Sequence, residues 1–169
     1  KMSFFIFFRG LNLWLHLFSL ALWIGGIAFF LFVFGPAVHS MAPGTGVQVL
    51  DKGRRSLQTL SWIAINLLLI SGFFNLIFRG AEGGFQFGSL YYSILAIKLF
   101  LFLAMIFHHF LQAFKYAPEI VSLTAQTRQD VQAWPEPLLA HWKRWFLLLK
   151  INATLGAVVL LLGLALPRS

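Results

Sequence analysis

The chain has no cysteine. Disulfides, thiolate metal sites and thioether-linked heme are therefore excluded, and any heme must be held noncovalently. Acidic residues are scarce, five Asp and Glu in 169 residues, and none falls inside an apolar run. No Gly-rich phosphate loop, nucleophile elbow, zinc motif or carboxylate pair within a span is present, which sets aside the common soluble enzyme chemistries. Methionine is limited to three scattered residues, so no methionine ladder for Cu(I) exists. Charge of either sign is thin, at 11% of the chain.

What remains is apolar. With 59% hydrophobic residues, the chain has far more apolar surface than a water-soluble globule of this size can hide. The apolar residues form four runs, over 4–38, 57–78, 90–116 and 142–166. Crossing a hydrocarbon core of about 30 Å takes ~20 helical residues, so each run is long enough to span. The runs are apolar on nearly all sides rather than alternating, which favours helices over a barrel. The expected architecture is all-α, a four-helix integral membrane bundle forming a single membrane domain over 1–169. Punctuating stretches at 41–46, 79–84 and 118–137 read as loops, none of them able to fold alone. Lys1 and Arg9 flank apolar residues as in a signal peptide, but the stretch after Arg9 is too long for a signal h-region and no small-x-small site closes it. The first helix is expected to stay.

The net charge of +8 would suggest nucleic acid in a soluble protein; here it follows the loops, and the expected partner is lipid. One side carries Lys52, Arg54, Arg55, Lys115, Arg128, Lys143 and Arg144, the other Lys1, Arg9, Arg79 and Arg168. The positive-inside bias places both termini outside the cytoplasm of a bacterial-type inner membrane. Trp62, Trp142, Trp145, Tyr91, Tyr92 and Tyr116 fall near helix ends, as interfacial anchors do, with Trp14 and Trp23 deeper.

Polar residues inside a span cost free energy unless paired or facing a cavity, and so mark function. Asn12, His16, Ser19, Trp23 and Gly26 recur at helical spacing on one face of the first span. On the third, Tyr91, Lys98, Met105, His109 and Gln112 fall within about 60° of one another, while His108 points roughly 80° away from Lys98. Ser61, Gly72, Asn75 and Arg79 come from the second span, and His141, Trp145 and Asn152 share a face of the fourth. Two tiers result. His16 and Lys98 lie roughly level in the non-cytoplasmic half; His39, His108, His109 and His141 gather toward the other. Histidines on facing helices suit a b-type heme, with His109 and either His141 or His39 as a bis-imidazole pair, or His16 as ligand of a differently placed heme. The plainer reading is that these imidazoles only hydrogen-bond across helices, or sit among headgroups at His39 and His141. Lys98 lies mid-span without an acidic partner, and a heme propionate, a quinone carbonyl, a lipid phosphate or a neighbouring subunit's carboxylate would answer it.

Two stretches carry a resemblance. Leu15-His16-Leu17 followed by Leu22-Trp23-Ile24-Gly25-Gly26, and Leu69-Ile70-Ser71-Gly72-Phe73-Phe74-Asn75 with Tyr92 to Lys98-Leu99, resemble the CopD-type copper resistance membrane proteins. The spacings His16 to Trp23 and Lys98 to His109 also resemble the related HemJ-type protoporphyrinogen oxidases. That similarity implies that His16 and Lys98 serve heme binding and activity. The chain departs from the enzyme pattern twice: Gly35-Pro36-Ala37 stands where that family has a Pro-Arg segment, and Ile151-Asn152-Ala153 lacks the acidic residue that follows the asparagine.

Three functional expectations follow. The leading one is a heme-b-binding or redox-associated subunit, in which Lys98 takes part in oxidation of a quinol or porphyrinogen or in electron transfer, with Asn12, Trp23, Tyr91, His16, His108, His109 and His141 around the cofactor. The second is copper binding or permeation through His39, Met41, Met105 and the His108-His109 pair, with His16, His39 and His109 the candidate metal-ligating histidines overall. The third is an accessory subunit of a larger membrane assembly, or a homo-oligomer.

Overall fold

The computed structural model describes residues 2–165, with side chains from residue 4 onward. Lys1, Arg168 and the final residue of the fourth apolar run, Leu166, lie outside it, as does the side chain of Met2. The described residues are helices joined by short turns: α1 (Met2–Phe29), a π-helical segment (Phe30–Phe34), α2 (Gly35–His39), α3 (Pro43–Gly83), α4 (Ser89–Phe110), a second π-helical segment (Leu111–Tyr116), α5 (Ala117–Gln126) and α6 (Glu136–Ala165). They make four rods, Phe4–His39, Pro43–Gly83, Ser89–Gln126 and Glu136–Ala165, each long and apolar enough to cross a membrane. This is the all-α four-helix bundle of an integral membrane protein.

Both π segments have one cause. Pro36 and Pro118 each lack an N–H and would clash with the carbonyl four residues back. The helix widens instead: the Gly35 N–H bonds to the Phe30 carbonyl, and the Ala117 N–H to the Gln112 carbonyl, each a five-residue step. The chain thereby continues through a proline without breaking.

The first and third rods are built on a common plan. Trp23, Ile27, Phe30, Gly35, Pro36 and Val38 correspond to Met105, His109, Gln112, Ala117, Pro118 and Ile120 at a constant separation of 82 residues, and all but the prolines are buried. Leu50, Arg54, Leu57, Ser61, Ala64, Leu68 and Ser71 of α3 correspond in burial to Leu138, Trp142, Trp145, Leu149, Asn152, Gly156 and Val159 of α6, 88 residues on. The bundle is two similar hairpins, α1 packed on α3 and α4 on α6, with α1 also meeting α6. His16 and Lys98 hold equivalent places, each 20 residues before its proline.

The loops are where structure and sequence part. At 1.5 Å per residue the 41 residues of α3 run about 60 Å, twice the ~30 Å hydrocarbon core. Residues 43–46, 79–83 and 118–126, read from sequence as loop, are helical, and so is 47–56, which lies ahead of the expected second span. They project with α2 and the start of α6 into a small helical head, whose core includes Val38, Val47, Leu50, Ile120, Leu138 and Trp142. The glycines that looked like loop punctuation are there for close approach. A Cβ on Gly44 would collide with the Gln129 backbone, and one on Gly46 would sit 3.2 Å from the Val38 carbonyl. Inside the head the Asp51 carboxylate is shared by Arg54 at 2.7 Å and Arg55 at 2.8 Å, with Asp51 and Arg54 almost wholly buried.

At the opposite end, Gly84 at φ +60° closes α3, its N–H bonding to the Gly80 carbonyl. Arg9 of α1 pairs there with Glu82 of α3. Phe4, Phe7, Phe32, Phe73, Phe100, Phe107 and Phe114 are exposed around the rods, the surface that acyl chains cover. Trp14 is exposed among them. Trp142 and Trp145, expected as interfacial anchors, are instead core residues at 2% and 3% exposure, packed edge to face on each other.

Candidate functional site

The tier built on His16 converges from three helices. Gly72 on α3 has no side chain, so the His16 ring of α1 lies against the α3 backbone; a Cβ at Gly72 would be 3.3 Å from His16 Cε1. His16 Nδ1 is 2.8 Å from Ser71 Oγ. Ser71 directs its own hydrogen to the Leu67 carbonyl at 2.5 Å, so its oxygen accepts from the His16 Nδ1–H. A neutral ring protonated at Nδ1 would donate to Ser71 Oγ and keep its lone pair on Nε2. One turn away, the Asn12 carboxamide donates to the Ser71 carbonyl and to Asn75 Oδ1, both at 2.9 Å. The α1–α3 seam at this level is thus a continuous polar ladder of Asn12, His16, Ser71 and Asn75 in an otherwise apolar interior. Ser71 was not singled out as a site residue from sequence; it was quoted only within the resemblance. Its signal was the i−4 spacing to Asn75 on the polar face.

Lys98 reaches the same tier from α4. Its amine rests over Gly163 of α6, 3.3 Å from where a Cβ would be, on the same side of the bundle interior as His16. Both chemically active side chains therefore cross glycines of the neighbouring helix, Gly72 and Gly163. No carboxylate lies at this depth among the described residues; the described acids, Asp51, Glu82, Glu119, Asp130 and Glu136, sit at rod ends or in the head.

The remaining sequence candidates separate. Trp23 is buried at 1% and packs edge to face on Phe102, 5.9 Å between centroids, under the His16 tier. Tyr91 stacks on Phe87 at 4.4 Å with the Arg79 guanidinium 4.8 Å over its ring, at the end of the bundle near the α3–α4 turn. His109 is buried against Trp62, ring centroids 4.7 Å apart, and its Nε2 has no protein partner. It faces a cavity of about 10 Å³, the size of one water, with Ser61, Gln58 and Gln112 beside it. His108, the outward-angled neighbour, is a clamp: its Nδ1 lies 3.1 Å from Asn152 Oδ1, while the Asn152 carboxamide donates to the Met105 carbonyl. His141 rests near Tyr116, its Nδ1 buried without a partner, and His39 is exposed beside Trp134. His39, His109 and His141 each lie on a different aromatic residue, and neither His39 nor His141 lines the cavity at His109.

No family model, curated protein or solved structure matches this chain. Function must therefore be argued from the site.

For a b-type heme, the donor set at His16 fits: a mid-span imidazole with one ring nitrogen held by a hydroxyl would hold iron through the other. Lys98 would offer a counter-charge to a propionate there. For copper the fit is poor. Among the described residues no three His, Cys, Asp or Glu side chains gather, Met41 is on the surface, and Met105 is buried against the Asn152–Gly156 stretch of α6.

Proposed function

We propose that this chain is a redox-associated integral membrane protein of the CopD/HemJ-like group that holds a b-type heme through His16. The observation that carries the proposal is the His16 ring held against Ser71 Oγ in the apolar interior, in the same tier as a lysine that has no carboxylate at its depth among the described residues. When bound, heme supplies one-electron transfer. The chain's own residues do the rest. Ser71 and Asn12 lock the ring and the α1–α3 seam, while Trp23 and Phe102 form an apolar floor that keeps water out. Lys98 Nζ pairs with a carboxylate or carbonyl oxygen brought into the tier, a propionate or the polar end of a quinol or porphyrinogen. His109, lower in the bundle, is a second imidazole with an unengaged nitrogen, suited to pass a proton through one water. On this reading both termini lie outside the cytoplasm and the basic head inside, in a bacterial-type inner membrane, as the distribution of Lys and Arg favours.

The test is the absorption spectrum of protein purified from heme-replete cells. A Soret band with α and β bands that sharpen on dithionite, lost in His16→Ala and retained in His108→Ala, is the expected result. A wild-type spectrum with no such bands overturns the reading.

A further inference from the structure

Between α3 and the α4–α5 bend runs a groove of about 630 Å³, open on its outer side. It lies beside the π segment before Pro118, where Ala113 and Ala117, small residues, line it. Its two ends differ in chemistry. At the head end are Arg54, Arg55 and Ser122; seven residues along α3, about 10 Å at 1.5 Å per residue, is Trp62. Trp62 stacks edge to face on Phe110 at 5.0 Å and lies 6.4 Å from Phe114, two rings exposed to the bilayer side. The groove therefore grades from cationic to apolar over the thickness of a headgroup layer.

We infer that this groove binds one anionic phospholipid, its phosphate at Arg55, Gln58 and Thr59 and an acyl chain laid over Trp62 and Ala113.

Charge and free donors select that occupant. Two guanidiniums share one carboxylate, leaving net positive charge. Arg54 is consumed by Asp51 and the Gln58 side-chain Oε1, which fixes the geometry. Arg55 is side-chain exposed at 62% and uses only Nε and Nη2 on Asp51, so its Nη1 faces outward. The Gln58 carboxamide N–H₂ and the Thr59 and Ser122 hydroxyls have donor hydrogens with no acceptor among the described residues. A row of donors beside a guanidinium at headgroup depth matches phosphate oxygens, and basic clefts between spans on this side are where anionic headgroups lodge. A neutral quinone headgroup would leave the guanidinium unanswered.

The experiment is native mass spectrometry of the full chain from nanodiscs of phosphatidylcholine doped with phosphatidylglycerol. Wild type is expected to retain one phosphatidylglycerol in preference to phosphatidylcholine. Arg55→Gln should weaken that retention about fivefold or more, and Ser122→Glu, on an exposed position that cannot disturb the core, should do the same. Lys52→Gln, an exposed basic residue on the same helix outside the groove, should stay near wild type. Equal losses in Lys52→Gln and Arg55→Gln, or equal retention of the two lipids, overturn the proposal. So does displacement of the lipid by millimolar inorganic phosphate alone, which would mean a site for a free anion rather than for lipid.

Discussion

Replacing Ser71 by Ala separates a structural role from a functional one at His16. The substitution removes one oxygen atom and almost no volume. It deletes a single interhelical hydrogen bond, the 2.8 Å contact to His16 Nδ1, because the bond from Asn12 goes to the Ser71 backbone carbonyl and survives. Interhelical hydrogen bonds in membranes average about 0.6 kcal/mol and reach at most ~1.7 kcal/mol, so the stability loss should stay within that range. The effect on ligation should be larger. With that contact gone the ring is less constrained about χ2, and loss of an outer-shell partner typically weakens metal-site affinity by about 10–100-fold. The expected outcome is a heme titration, followed at the Soret band, displaced by one to two orders of magnitude at nearly unchanged unfolding in SDS. Ser71→Thr, which restores the hydroxyl, should recover most of the affinity. Heme affinity unchanged in Ser71→Ala, or a stability loss above about 3 kcal/mol that accounts for weakened binding by misfolding, refutes the reasoning.

Other consequences can be checked the same way. Gly72→Val should displace the His16 ring, since a Cβ alone comes to 3.3 Å of Cε1, and should abolish the spectrum of the bound heme, whereas Gly25→Ala, with open space around it, should leave it unchanged. Asp51→Ala strands the buried Arg54 guanidinium and should destabilise the protein by about 3–5 kcal/mol in SDS unfolding, against no measurable change for the exposed Lys52→Ala. Gly44→Val should drive its side chain into the Gln129 backbone, costing about 1–3 kcal/mol and opening the head, read as faster tryptic cleavage at Arg128; an unchanged cleavage rate would mean that the head is not packed as described. Asn152→Ala should release His108 and the Met105 carbonyl together, a loss of about 1–2 kcal/mol that leaves the heme spectrum intact.

Much of the interior was readable from periodicity alone. Asn12, His16, Ser19 and Trp23 were placed on one face of the first span, and in the structure Ser19 and Trp23 are buried while Asn12 and His16 form the seam to α3. The choice of His109 over His108 as the inward imidazole followed from 100° per residue, and His109 is the buried one. The head escaped notice because its helices are amphipathic and rich in Gly, Pro and charge, and composition marks such segments as loop when their apolar faces have no visible partner. Gly44 and Gly46 misled for the same reason, since a glycine chosen for close packing looks identical in sequence to one chosen for a turn. Trp142 and Trp145 sat at the right distance from a span end to be anchors, yet the head covers them.

The sequence by itself determined the solvent: four long apolar runs and five acidic residues leave lipid as the only medium in which this backbone can satisfy its hydrogen bonds, and that requirement imposes helices. It also determined which few polar side chains must turn inward, because each carries a cost in hydrocarbon that only a partner offsets. What the tertiary structure decided is who those partners are. Ser71 on His16, Asn152 on His108, Gly163 beneath Lys98 and Asp51 between two arginines are all contacts across helices or between turns whose register depends on how the rods are offset. That offset is set by two proline-induced π segments and by glycines that let backbones touch, and a one-residue shift there moves every side chain beyond it to another face.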